Sequence, residues 1–145
     1  MTGLGAEGLR DEWTTTWTWT RLTAAVRDLT WHRGARELSW TCRERRVTKA
    51  YDGEIVSAVV LRDATGVAVV EPEQAGVPDN AVVFDADGVE RYRLARPCRP
   101  CEDCHFAQIY YVAGELTAFA VVRGTDFALA VDEVTGAYGR RREAR

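Results

Sequence analysis

The sequence predicts an all-β domain: an antiparallel meander of consecutive hairpins closed into a barrel, folded into a sandwich or arranged like part of a propeller. Three observations predict it. From Asp28 onward, short β-prone runs are broken by turn residues roughly every ten positions, the spacing of all-β domains. Helical periodicity is nearly absent. The connections are also shorter than the dozen or so residues a parallel crossover needs. At 145 residues, 46% hydrophobic and 28% charged, the chain suits one globular domain with a real core.

In chain order, residues 1–12 read as a loose, glycine-bearing leader, residues 13–138 as the domain and residues 139–145 as a basic tail. Gly3-x-Gly5-x-x-Gly8 has the letters of a dinucleotide fingerprint, but no strand precedes it, so the glycines have no strand-to-helix turn to build. Trp13 to Thr20 alternates tryptophan and threonine, the period of a half-buried strand. Leu22, Ala25, Val26 and Leu29 fall on one helical face, although the stretch is short enough to enter a strand.

Regular runs follow: Leu29 to His32, Glu37 to Cys42, Val47 to Tyr51, Ile55 to Leu61 and Val67 to Val70, separated by Arg33-Gly34, Asp52-Gly53 and Ala64-Thr65-Gly66. Pro72 and Pro78 exclude a central strand between them. Ala81 to Phe84 and Val89 to Leu94 flank Asp85-Ala86-Asp87-Gly88, a hairpin turn because aspartate and glycine tolerate positive φ. Phe106 to Val112, Leu116 to Val122 and Phe127 to Val131 complete the series, with turns at Ala113-Gly114 and Gly124-Thr125. Ile55 to Leu61 and Leu116 to Val122 are apolar at both parities, so each is expected between two packed layers.

Chemistry is concentrated in one window, Cys98-x2-Cys101-x2-Cys104-His105. No run approaches the roughly 18 apolar residues of a membrane span, and no export signal opens the chain, so a cytoplasmic location is expected. There, thiols stay reduced and clustered cysteines point to a metal. Three cysteines on one loop supply three thiolates to zinc, and a fourth ligand closes the tetrahedron. Cys42 is the preferred fourth ligand, His105 the alternative and His32 a poorer third. An iron–sulfur cluster would want a further nearby cysteine, and Gln108 stands there. Cys101-x2-Cys104-His105 also spells a c-type haem attachment, which needs export. The plainer alternative is a loop of redox-sensitive thiols.

The charge layout is uneven. Net charge is −3, yet residues 50–90 hold Asp52, Glu54, Asp63, Glu71, Glu73, Asp79, Asp85, Asp87 and Glu90 against Arg62 alone. Arginines flank both cysteine regions: Arg43, Arg45, Arg46, Arg91, Arg93, Arg96 and Arg99. All five tryptophans lie in the first 40 residues; Trp31 and Trp40 are expected in the core, and Trp17 and Trp19 at a contact such as a homodimer seam.

Catalysis has little support, since Ser39 and Ser57 lie in strand-like runs, His32 and His105 lack a recognisable acid or nucleophile constellation, and Cys104 beside His105 is not a dyad signal because such partners meet through the fold. Asp85 to Gly88 lacks the remaining ligands of a calcium loop. The sequence thus favours a zinc-stapled binding protein, regulatory or toxin-neutralising, that docks acidic hairpins on a basic protein partner. A nucleic-acid binder using the arginines, and a metal- or thiol-dependent enzyme, are the alternatives.

Overall fold

The computed structural model describes residues 24–73, 79–97 and 104–143, the last four by backbone alone. Among these residues there are eleven strands and no helix. Accordingly, no helix there is long and apolar enough to cross a membrane. The strands form three antiparallel meanders in chain order. The N-terminal sheet holds β1 (Val26–Thr30), β2 (Glu37–Cys42) and β3 (Arg45–Ala50). The middle sheet holds β4 (Ser57–Val60), β5 (Gly66–Val70), β6 (Ala81–Asp85) and β7 (Glu90–Arg93). The C-terminal sheet holds β8 (Cys104–Val112), β9 (Glu115–Val122), β10 (Thr125–Val131) and β11 (Tyr138–Glu143). No sheet closes into a barrel; the sheets pack face to face in a sandwich-like stack.

Strand periodicity explains the stacking. Val67, Val69, Val82 and Phe84 leave the middle sheet on one side and pack with Val26, Leu38, Trp40 and Cys42 of the N-terminal sheet. Ala68, Val70, Ala81 and Val83 leave it on the other and pack with Phe106, Ile109, Leu116, Ala118, Ala120 and Leu129. A strand apolar at both parities therefore becomes the centre of the molecule, as expected of Ile55 to Leu61. Trp40 is fully buried and donates its indole N–H to the Ala86 carbonyl at 2.6 Å, while Trp31 packs partly buried against the same cluster. Trp13, Trp17 and Trp19 lie outside the described residues.

Four local expectations change. Val26 and Leu29, ambiguous between helix and strand, are in β1, whose pairing with β2 fixes the strand form. Tyr138–Glu143, most of the segment expected as a tail, pairs with β10, so arginine-rich sequence here forms a charged edge strand. The turn expected at Gly124-Thr125 lies at Arg123-Gly124, where both residues have positive φ (52° and 83°), as in the Ala113-Gly114 turn (50° and 84°). These are two-residue hairpin loops of the primed type. Gly66 is not a turn glycine but the first residue of β5, where a Cβ would overlap the Phe84 carbonyl oxygen.

Two buried polar side chains join the middle sheet to β8. Asn80 donates Nδ2–H to the carbonyls of Glu71 (3.1 Å) and Phe106 (3.0 Å) and accepts the Phe106 N–H at Oδ1 (2.9 Å). Ser57 Oγ bonds the carbonyl (3.1 Å) and the amide (3.3 Å) of Ile109. Both act as surrogate strand neighbours to backbone groups β9 does not reach, on either side of the register shift between Phe106 and Gln108.

Candidate functional site

The cysteine window lies at the start of β8. Cys98 and Cys101 are outside the described residues. Cys104 is buried opposite Val122, and His105 turns to the outward face with its Nδ1 3.3 Å from a Glu73 carboxylate oxygen. Cys42 ends β2 within the cluster between the N-terminal and middle sheets, whereas Cys104 belongs to the C-terminal sheet. Neither forms a disulfide. Among the described residues no three metal-ligating side chains converge. His32 is exposed, with Nδ1 3.1 Å from the Arg33 carbonyl oxygen.

Beneath that window runs a charged network. Glu71, almost fully buried, accepts hydrogen bonds from Tyr51 Oη–H (2.6 Å) and Arg93 Nη1–H (2.6 Å). Burial, reinforced by the Glu71 carboxylate, pushes the Tyr51 phenol far above its ordinary range. Arg93 also pairs with Glu90, Arg91 with Asp85, and Arg96 with Asp79. So four of the nine acidic residues between 50 and 90 meet arginines that immediately follow them in sequence, and Glu73 faces His105. Those three arginines offset three of the eight surplus negative charges counted along the stretch. The same pairs occupy three of the arginines a nucleic acid would need.

Among the described residues, the hydroxyls and imidazoles named so far do not assemble a reacting group. Ser57 is bonded to the Ile109 backbone, and Ser39 lies on the outward face of the N-terminal sheet, opposite Thr48. A second network is structural as well: Tyr111 Oη accepts the Arg62 N–H (2.6 Å) and donates to Glu133 Oε1 (2.9 Å), with the Arg62 guanidinium over the Tyr111 ring.

The two end layers of the stack differ sharply. Outward on the N-terminal sheet are Ser39, Thr41, Arg46 and Thr48, with Arg46 held by Thr30, Thr41 and the Asp28 carbonyl. Outward on the C-terminal sheet, by register, are Gln108, Tyr110 and Val112 of β8, Glu115, Thr117, Phe119 and Val121 of β9, and Asp126, Ala128 and Ala130 of β10. Tyr110 and Val112 are 42% and 37% exposed, and Tyr110 stacks on Phe119 with ring centroids 4.9 Å apart. Here Leu116 to Val122 departs from expectation. Its Leu116, Ala118 and Ala120 face the core, but no second described sheet covers Thr117, Phe119 and Val121.

At the same end of that sheet opens a shallow groove of about 510 Å³, lined by Gly114, Glu115, Leu116, Ala130, Val131, Asp132, Glu133, Ala137 and Gly139. The backbone N–H groups of Thr135 and Val134 hold the Asp132 carboxyl below the usual range. Sequence reasoning missed this surface, since its carboxylates lie outside the 50–90 stretch; the available signal was the second apolar face of β9.

No protein-family model and no curated protein matches the chain. Among solved structures, a chain in the structure of Tne2 in complex with Tni2 is similar to it, with a TM-score of 0.62 at 15% identity over 77% of this chain and 79% of that one. At that identity the likeness establishes a shared fold.

Proposed function

We propose that this chain is a non-catalytic binding protein of the toxin-neutralising or regulatory type, which docks on a basic protein partner. The observation that carries the reading is the fold it shares, over most of its length, with a chain from a complex of two proteins, Tne2 and Tni2. The geometry supports it. Serine, tyrosine and arginine side chains are spent on structural bonds, while one end face is left apolar and accessible. A cytoplasmic location belongs to this reading, because the cysteine chemistry below requires reduced thiols.

A structural zinc at Cys98, Cys101 and Cys104 is part of the proposal. Of the candidates for the fourth ligand, Cys42 lies in the cluster on the far side of the middle sheet, and His105 leaves β8 on the face opposite Cys104. Elemental analysis of protein purified without added metal should give one zinc per chain, lost in a Cys101→Ser variant; protein free of zinc, with all thiols titratable, refutes it.

The binding role is tested by capturing partners from the source cell on the immobilised chain and rebuilding the complex from purified components. A stoichiometric protein complex is expected, with an association rate that falls about tenfold between about 0.05 and 0.5 M salt. Retention of nucleic acid in place of protein, or turnover of a captured small molecule, overturns the reading.

A further inference from the structure

We propose that the outward face of the C-terminal sheet is covered by the chain's own N-terminal segment, Trp13 to Thr20, with its tryptophans laid along Val112, Tyr110, Phe119 and Val121. The segment precedes the described residues, and its sequence, the face and the place where the chain enters β1 fit one another.

The face is apolar where a stack of sheets should end in polar side chains. Tyr110 and Val112 are exposed and Tyr110 stacks on Phe119, whereas the opposite end layer finishes in Ser39, Thr41 and Thr48. Charge does not choose the occupant, since Glu133 at the rim already accepts a hydrogen bond from Tyr111. Residues 13–20 hold no charged side chain at all. Trp13, Trp17 and Trp19 share one parity, with Thr15, and the other parity is threonine throughout: Thr14, Thr16, Thr18 and Thr20. Extended, such a stretch carries indoles on one side and hydroxyls on the other. The indoles gain by leaving water for an aromatic surface, and the hydroxyl-covered end layer offers them none. Eight residues also match the length of β9, Glu115–Val122.

Chain entry brings the segment to this face. The Val26 N–H donates to the Ala64 carbonyl at 2.8 Å, in the turn between β4 and β5. In the same turn Arg62 donates its backbone N–H to Tyr111 Oη and holds its guanidinium over that ring, 3.4 Å from where a Cβ on Gly114 would stand. So β1 begins at the end of the stack that carries the Ala113-Gly114 turn, Val112 and Glu115. A layer docked outside the C-terminal sheet lies two spacings of about 10 Å from the middle sheet. The six residues from Thr20 to Ala25 reach about 20 Å when extended, which covers that distance. So short a tether keeps the segment at high local concentration, and a contact too small to hold a free peptide then suffices. The inference goes beyond the partner-binding reading and does not depend on it. A partner that reaches Tyr110 and Phe119 does so by displacing the segment.

The test is proton cross-relaxation in the full chain with isotope-labelled aromatic rings. The indole protons of Trp17 and Trp19 should show contacts with the rings of Tyr110 and Phe119, and these should persist when labelled chains are diluted into unlabelled ones. In the double variant Trp17→Thr/Trp19→Thr, backbone resonances of Tyr110, Val112, Phe119 and Val121 should move while those of Ser39, Thr41 and Thr48 stay. Tyr110→Ala, a change at an exposed side chain that leaves the core intact, should weaken the remaining contacts with Phe119.

Contacts of the two indoles with Ser39 or Thr48, indoles without contact to any described strand, or a double variant whose resonances on this face coincide with the parent's overturn the proposal. So do contacts found only between differently labelled copies, which assign the face to the segment of a second copy. No partner enters these measurements, so failure to capture one removes the binding role and leaves this result standing.

Discussion

Replacing Asn80 by alanine should destabilise the protein by about 2–4 kcal/mol, and the estimate follows from three hydrogen bonds. Asn80 is 2% exposed and Phe106 1%, so neither can turn to bulk water. The alanine variant leaves the Phe106 N–H and C=O without their partner and removes one bond from the Glu71 carbonyl. A buried backbone group left unpaired costs about 1–3 kcal/mol, and a water entering the vacated amide volume recovers part of the two-group total. Asn80→Asp should be no better, because it keeps the acceptor for the Phe106 amide but turns a carboxylate oxygen toward two carbonyls. Urea denaturation reads the effect: with a slope of about 1–3 kcal/mol per molar, the midpoint should fall by about 1–2 M. Hydrogen exchange of the Phe106 amide should accelerate in step. An alanine variant within about 0.5 kcal/mol of the parent, with Phe106 still protected, would refute the surrogate-strand role of Asn80.

Gly66→Ala forces a Cβ onto the Phe84 carbonyl oxygen and should cost about 2–3 kcal/mol by thermal or urea melting, since a backbone oxygen in a paired strand cannot step aside. Arg93→Met strands the buried Glu71 carboxylate and should cost about 3 kcal/mol, the lower end for a broken buried pair because Arg93 is itself partly exposed; Arg93→Met with Glu71→Gln should recover much of it. Burial pushes the Tyr92 phenol from 10.0 up to about 12, against the opposing pull of the Arg91 guanidinium. The folded state therefore keeps that proton longer than the unfolded state, so stability is intact below about pH 10 and declines as pH rises toward 12. Tyrosinate absorbance and melting against pH should show this, and Tyr92→Phe should flatten that part of the curve.

The hairpin series was legible because strand period and turn chemistry are local. Glu37–Cys42 begins and ends where the sequence puts it, and the other described strands up to β10 differ by a few residues at their ends. The both-face apolar run at 55–61 likewise announced a middle layer. What was not legible depended on pairing. Val26 and Leu29 fit a helical face, and only β2 alongside makes them a strand. Tyr138–Glu143 carries three arginines that read as a solvated tail, yet an edge strand wants such charges. Asn80 stands two residues after Pro78, and nothing local says that its amide substitutes for a strand.

Charge was read at the wrong length scale for the same reason. Counting from Asp52 to Glu90 gives a strong negative surplus because the count stops one residue before Arg91. In the folded chain β7 returns antiparallel beside β6, so Arg91 faces back to Asp85, and Arg93 crosses to Glu71 at the end of β5. A hairpin sequence places opposite charges several residues apart and then folds them into contact, so a window that stops at Glu90 overstates a field that the next three arginines reduce. The carboxylates that define a surface belong to different strands instead: Glu115 opens β9 and Asp132 follows β10, 17 positions later in sequence but lining one groove. Their neighbour Phe119 carried the only local sign of that surface, an apolar side chain at the parity that should have been polar. In a stack of sheets, a strand apolar at both parities lies in the middle of the molecule where a sheet packs on each side, as at 55–61, and at an end layer, as at Phe119, it carries apolar area outward.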